Sequence, residues 1–375
     1  MTTEFAAAAA SGEPKELGRR VLAALADNPG ASLGIVYASG PAAAVFPELV
    51  AALARHTGIE AWVGGVGLGV LSGEGEIYDE PAVVVMTAAL PREAFRVFAA
   101  TSDPGSDIPR GHAGWIEASQ PALVLVHGDP RCPELPRAAV DLMAASGAFL
   151  VGGLLSHRFA SPLLARDAGQ AGFGEAGLAG VMLSAEIPVA TGLSQGCLPI
   201  GPTRRIDEAR DNIIMAIDGR PALSVFLEDI GPDFARDLRH AGGVIFAGLP
   251  VAGSDTGDYL VRNLMAVDPG RGWLVIGETV APGERILFCR RDPETARRDL
   301  ERMTGQLAKR LQGPPKAGIY VSCVARGAAL FGESGVETAL IRDSLGEFPL
   351  IGFFANGEIS RDRLYGHTGV LTLFV

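Results

Sequence analysis

One local arrangement recurs along this chain and limits what it can fold into: a helix, an apolar run ending in glycine, a glycine-bearing turn and a second apolar run. In the first copy the helix Ala43 to Arg55 leads into Ala61-Trp62-Val63-Gly64-Gly65, then Gly75-Glu76-Ile77-Tyr78, then the apolar run Ala82 to Thr87. Near the C-terminus a helix from Glu337 to Ser344 leads into Leu350-Ile351-Gly352-Phe353-Phe354, then Gly357-Glu358-Ile359, then Gly369 to Phe374. A looser copy runs from Arg137 to Ala145 through Phe149-Leu150-Val151-Gly152-Gly153 to Leu178 to Leu183, and a fourth is expected at Phe234 to Ala241 and Val244 to Leu249. The spacing is too irregular for an open solenoid, so the pattern predicts a closed, pseudo-symmetric protein with the unit present about twice in each half. Glycine pairs directly after a strand signal positive φ or close backbone approach.

Elsewhere helical and strand patterns also alternate, which predicts a mixed α/β fold. Glu16 to Ala26 reads as a helix stopped by Asn28-Pro29-Gly30, and Leu33 to Tyr37 and Leu123 to Val126 read as buried strands. At 375 residues the chain exceeds what one core serves. The expectation is therefore two pseudo-repeated domains, 30–219 and 220–375, each a β-sheet core flanked by helices, after a leader and first helix at 1–29. The segment Thr191 to Pro202 and a predicted helix from Ile206 to Ile217, ended by Asp218-Gly219-Arg220-Pro221, mark the junction. Met1 to Gly12 lacks a basic flank and carries Glu4 within an alanine run, so it reads as a frayed helix start or an unordered leader and not a signal peptide. Gly64 to Gly75 contains Gly65-x-Gly67 without the third glycine of a dinucleotide fingerprint, and reads as a turn region.

Charge and cysteine spacing narrow the function classes. A formal charge of -11 repels phosphate backbones, so no nucleic-acid partner is expected. The basic pairs Arg290-Arg291 and Arg297-Arg298 sit among Asp292, Glu294, Asp299 and Glu301, the pattern of a solvated helix face. Cys132, Cys197, Cys289 and Cys323 show no CxxC spacing, which points to reduced thiols and away from zinc. With no apolar window near the ~18 to 20 residues that cross a bilayer, the expected location is the cytoplasm, without membrane insertion.

Toward the C-terminus the run Tyr259-Leu260-Val261-Arg262-Asn263, then Val267-Asp268, Cys323-Val324-Ala325-Arg326-Gly327, Phe331-Gly332, Pro349 to Phe354 and Gly357-Glu358-Ile359 resembles the FIST C domain. Gly64-Gly65, Val151-Gly152-Gly153, Ser194 to Gly201 and Asp218 to Leu223 resemble the FIST N domain, so the resemblance covers residues 30 to 375. It implies a sensory protein that binds a small ligand, with amino acids among the candidates. Such regions accompany signal-transduction outputs or an F-box. Neither is found in this chain, which implies a separate signalling protein as partner. Some bacterial members are described as haem-binding nitric oxide sensors, which keeps haem open as a ligand; otherwise no cofactor is expected.

The residues that match the family motifs give the candidate ligand-binding set: Arg262, Asn263, Cys323, Arg326, Gly352, Asn356, Gly357 and Glu358. Cys323 and Arg326 follow an apolar strand, where α/β folds place ligands. A guanidinium fork there suits a carboxylate or phosphate, whereas the structural alternative is a buried thiol beside an arginine salt bridge. Glu358 either receives a ligand amine, pairs with Arg262 or Arg326, or caps backbone amides. Cys323, Glu358 and His367 supply the residue types of a nucleophilic site but no local nucleophile motif, so a Cys-dependent enzyme is an alternative, as is an interaction module without a ligand. His127 and His157 each follow a strand or glycine turn and are the candidate axial haem ligands.

Overall fold

A computed structural model of the chain describes residues 4–101, 103–156, 163–168, 172–174, 177–251 and 258–375. It divides into two compact units, Met1–Gln195 with Arg297–Val375, and Gly196–Ala296.

The larger unit consists of three copies of one motif. The first holds β1 (Glu4–Ser11), α1 (Leu17–Ala24), β2 (Leu33–Ser39), α2 (Phe46–Thr57), β3 (Ala61–Gly67), the hairpin β4 (Gly69–Ser72) and β5 (Gly75–Tyr78), and β6 (Ala82–Ala89). The second holds β7 (Phe95–Thr101), α3 (Pro104–Ser119), β8 (Pro121–Gly128), α4 (Leu135–Ser146), β9 (Phe149–Leu154), the hairpin β10 (Leu163–Arg166) and β11 (Phe173–Gly174), and β12 (Leu178–Ser184). The third opens with β13 (Val189–Gln195) and is interrupted in sequence by the smaller unit, whose strands are β14 (Cys197–Pro199), β15 (Arg204–Arg210), β16 (Ile213–Ile217), β17 (Arg220–Pro221), β18 (Ile245–Pro250), β19 (Tyr259–Asp268), β20 (Trp273–Ile276) and β21 (Arg285–Arg291), with helix α5 (Ala222–Ala235). It resumes with α6 (Pro293–Arg310), β22 (Ala317–Cys323), the short α7 (Ala328–Phe331), α8 (Val336–Leu345), β23 (Leu350–Ala355), the hairpin β24 (Glu358–Ser360) and β25 (Arg363–Tyr365), and β26 (Thr368–Phe374).

In each copy the two strands flanking the crossover helix pair in parallel, the last strand returns antiparallel to the first of them, and the opening strand adds to its edge. Each hairpin leaves its own copy. β4 pairs with β23, β10 with β3, and β24 with β9, so the three six-stranded sheets complete one another in a closed cycle. Where the strands end, Ser156 of the second copy accepts from the Leu68 amide of the first at 2.7 Å and donates to the Phe354 carbonyl of the third.

The geometry shared by the copies explains the glycines. Gly64, Gly152 and Gly352 lie opposite Val36, Val126 and Tyr320 in the parallel pairs, and a Cβ on any of them would stand 1.8–1.9 Å from that partner's carbonyl oxygen. The inner faces of all three sheets share one core that includes Ile35, Val63, Leu125, Val151, Ile319 and Phe353. Helices cover the outer faces. α2 buries Phe46, Leu49, Val50 and Leu53 and stops at Gly58 in the left-handed region, each such side chain contributing about 1.5–3 kcal/mol of burial.

In the smaller unit β14, β21, β15, β16, β20, β19 and β18 follow one another in an antiparallel sheet, and β18 pairs back to β21, closing a six-stranded ring around Ile206, Ile214, Leu274, Ile286 and Phe288.

Four sequence expectations change. The unit recurs three times and not four, because Val244 to Leu249 belongs to β18 of the ring. Ile206 to Ile217 is no helix but the hairpin β15–β16: Asp211 takes φ +54, and the Asp211-Asn212 turn breaks what looked like a helical period. Gly64 to Gly75 is three strand segments and not a turn region, with Gly64, Gly67 and Gly69 answering close backbone contacts. The alanine run at the N-terminus is strand β1, paired along its whole length with β6, so tertiary pairing overrides the helix preference of alanine.

Candidate functional site

Strand alternation sorts the residues at the end of β22 between two layers. Tyr320 and Ser322 point outward to α8, while Val321 and Cys323 point to the inner core. Glu337, in the first turn of α8, meets the outward pair. Its Oε1 accepts from Tyr320 OH at 2.6 Å and Arg326 Nε at 2.7 Å, and its Oε2 from Ser322 Oγ at 2.8 Å and the Gly327 amide at 3.2 Å. Both Arg326 and Glu337 have fully buried side chains. Burial acts to lower the guanidinium pKa, but Glu337 and its neighbours outweigh it and raise the value, so Arg326 stays charged. Only Nε is used by the carboxylate. Nη1 and Nη2 are buried without a hydrogen-bond partner, with the guanidinium 5.8 Å from the Phe331 ring centroid.

Glu358 approaches from β24. Its register position opposite Gly153 matches that of Val70 opposite Phe353, so its carboxyl lies on the inner side of the sheet. Oε2 accepts from the Thr368 amide at 3.1 Å and Thr368 Oγ1 at 2.8 Å; Oε1 is buried without a partner. Burial pushes the carboxyl up to about 8, against the opposing pull of Thr368, Cys323 and Arg326. Cys323 is 6% exposed. Burial and the Glu358 carboxylate raise its pKa, against backbone amides of Ala325 and His367 and the charge of Arg326, so it is held as a thiol and not as a nucleophilic thiolate.

Of the sequence-predicted set, Cys323, Arg326 and Glu358 therefore converge on one buried centre. Gly357, with φ +126, and exposed Asn356 form the turn that delivers Glu358, and the Asn356 amide and Gly357 carbonyl bond Leu154 at 2.9 Å each. Gly352 serves strand contact with Tyr320. Arg262 and Asn263 lie on β19 in the other compact unit, where Arg262 Nε bonds Glu278 at 3.0 Å and Asn263 is exposed. Glu358 pairs with neither arginine directly and caps Thr368, the third of its sequence readings. His127 Nε2 is 2.9 Å from Tyr37 OH, its ring lies 6.0 Å from that of Phe353, and burial lowers it to about 3. His157 lies outside the described residues.

Sequence reasoning missed Glu337, which counted there only as a helix start. Its signal is a carboxylate eleven residues after Arg326, at the first turn of a helix whose other buried positions are apolar or small. It also missed Glu76 and Tyr78, supplied by the first copy's hairpin. Tyr78 OH donates to Glu76 Oε2 at 3.1 Å, beside the site a Gly327 Cβ would fill, and burial together with Glu337 raises the Glu76 pKa.

Among the described residues no helix is long and apolar enough to cross a membrane. Comparison with known families matches the FIST N domain to residues 32–220 and the FIST C domain to residues 222–361. An uncharacterized protein of Mycobacterium tuberculosis H37Rv is 33% identical over 344 residues, covering 88% of this chain and 87% of its own length. One from Mycobacterium bovis is 31% identical over 350 residues, covering 88% and 86%.

Proposed function

Because the chain belongs to the FIST family, with both its N and C domains, we propose that it is a sensory protein that reversibly binds a small anionic metabolite and passes the signal to a separate protein. FIST domains are associated with signal transduction, and small-ligand binding is the activity ascribed to them. The observation that carries the reading is the free edge of Arg326. A charged guanidinium has been taken out of water, is oriented through Nε by Glu337, and leaves two nitrogens without acceptors. Such orphaned donors cost ~1–3 kcal/mol or more unless something accepts from them, and the planar fork suits a carboxylate or a phosphate oxygen pair. Amino acids are among the ligands that carry such a group. We place the protein in the cytoplasm, consistent with its reduced thiols.

The test is a thermal-shift screen of small carboxylates, amino acids and inorganic phosphate against the wild type and Arg326→Lys. A ligand at 100 times its Kd stabilises the native state by about 2.7 kcal/mol. The lysine keeps the charge but loses the fork, so its shift should be much smaller. No shift with any compound, or equal shifts in both proteins, overturns the reading.

A further inference from the structure

Two of the four cysteines in this chain of 375 residues come together in the smaller unit. Along β21, Ile286 and Phe288 enter the core of the ring, so Leu287 and Cys289 face away from it. β14 pairs antiparallel with β21, with Cys197 opposite Arg291 and Pro199 opposite Cys289. The bonds from the Ile200 amide to the Phe288 carbonyl at 2.9 Å and from the Asp292 amide to the Gly196 carbonyl at 3.4 Å mark the hydrogen-bonded pairs of this ladder. Both cysteines therefore stand in the intervening pairs, where the side chains of two strands approach most closely. Cys197 is the diagonal neighbour of Cys289 on one face, and the two share a buried cluster with Phe246, Tyr259, Val261 and Leu287. Cys289 Sγ donates to the Phe246 carbonyl at 3.7 Å, and a hydrogen bond joins the two thiols.

We propose that Cys197 and Cys289 form a reversible disulfide under hydrogen peroxide, a modification that pins β14 to β21. The inference is independent of the Arg326 centre. β14 gives the oxidant access: it is three residues long, ends the sheet, and carries Pro199, which has no amide for the ladder, so it belongs to the part of the fold that opens locally. Cys197 reacts first, because Leu198 beside it is 37% exposed, whereas Cys289 is fully buried and held far from ionisation by its hydrogen bond to Cys197 and by burial. The Cys197 thiolate attacks one peroxide oxygen, the O–O bond breaks, and the departing hydroxide takes the Cys197 proton to become water, leaving a sulfenic acid. When β14 closes again, the Cys289 sulfur attacks the Cys197 sulfur, the S–S bond forms, and the sulfenic hydroxyl leaves with the Cys289 proton as a second water. Two thiols are thus oxidised by two electrons and one peroxide is reduced to two waters. Diagonal neighbours lie ~7–8 Å apart at Cα, beyond the ~6.8 Å that a relaxed disulfide spans, so the bond draws β14 inward and is more easily reduced than a structural disulfide.

Peptide mapping of the native full chain, after stoichiometric hydrogen peroxide and alkylation of the remaining thiols, tests this. The expected result is a cross-linked peptide pair holding Cys197 and Cys289, with Cys132 and Cys323 outside it, and full reversal by dithiothreitol. Amide exchange over residues 196–200 should slow about tenfold or more in the oxidised form. Cys289→Ser should leave Cys197 as a sulfenic acid that dimedone traps, with no slowing of exchange. A native chain that yields no such cross-link, a cross-link that appears only in urea, or bridging through Cys132 or Cys323 overturns the proposal. A cross-link with unchanged exchange overturns the pinning of β14, and one that resists dithiothreitol overturns its reversibility. Should the variant fail to fold, the wild-type map and exchange decide alone.

Discussion

Glu337→Gln is the substitution whose cost follows most directly from the geometry. The side chain keeps its shape, so little packing is lost, but its single amide oxygen replaces only one carboxylate oxygen, so it can serve either Tyr320 or the Ser322 and Gly327 donors and not both. What disappears is the negative charge 2.7 Å from Arg326 Nε, in a place where both side chains are fully buried. Removing one partner of such a pair strands the other charge and costs about 3–5 kcal/mol, whereas removing both is often near neutral. Urea unfolding can follow this if the smaller unit is silenced. Trp62 and Trp115 report the larger unit and Trp273 the ring, so a Trp273→Phe background isolates the relevant fluorescence. With a slope of about 1–3 kcal/mol per molar urea or somewhat more at this size, the midpoint should drop by about 1 M or more. Arg326→Met combined with Glu337→Gln should recover most of the drop. A single-variant loss below ~1 kcal/mol, or a double variant no better than the single, would refute the account of a stranded charge.

The three copies offer an internal comparison. Gly64→Ala, Gly152→Ala and Gly352→Ala should each cost about 3 kcal/mol or more, because each Cβ would collide with a partner-strand carbonyl; Gly111→Ala in α3, with nothing within 4 Å, should gain about 0.5–1 kcal/mol. Thermal unfolding of the four variants checks this, and a tolerated alanine at any of the three equivalent sites breaks the equivalence. For Glu358 the folded pKa is raised, so its contribution is fully present below about 4.5 and lost as pH rises through about 8; Glu358→Gln should flatten the decline in melting temperature over that window. For His127 the folded pKa is depressed, so its contribution is present above 6.5 and lost as pH falls toward 3; His127→Gln should be less acid-sensitive than the wild type in the same scan.

The strand-glycine signature is legible in the sequence because each glycine answers a backbone collision, and a backbone collision admits only one residue type. That is why Val63-Gly64, Val151-Gly152 and Ile351-Gly352 stand out as copies from residue order alone. The ring strands are harder. Ile206 to Ile217 carries its apolar residues at spacings that fit a helix, and only the positive φ of Asp211, invisible in the residue type alone, makes it a hairpin. β1 reads wrongly because its alanines have no strand preference of their own and acquire one only from the β6 edge. In the site, Cys323, Arg326 and Glu358 are legible from motif and strand-end position. Glu337 and Glu76 are not, since nothing local distinguishes a buried carboxylate at a helix start or on a hairpin from a solvated one.

The exchange of hairpins also dictates an order of assembly. Val70 of β4 waits for Phe353 of β23, near the other end of the chain, whereas Leu164 of β10 finds Gly64 of β3 within the same third or so of the sequence. During synthesis the β4–β5 hairpin must therefore emerge with an open strand edge and keep it until almost the whole protein has left the ribosome. Unlike a stack of repeats, the closed cycle of three sheets has no end at which a copy could be gained or shed, and a chain truncated before β23 would present that unpaired edge to chaperones.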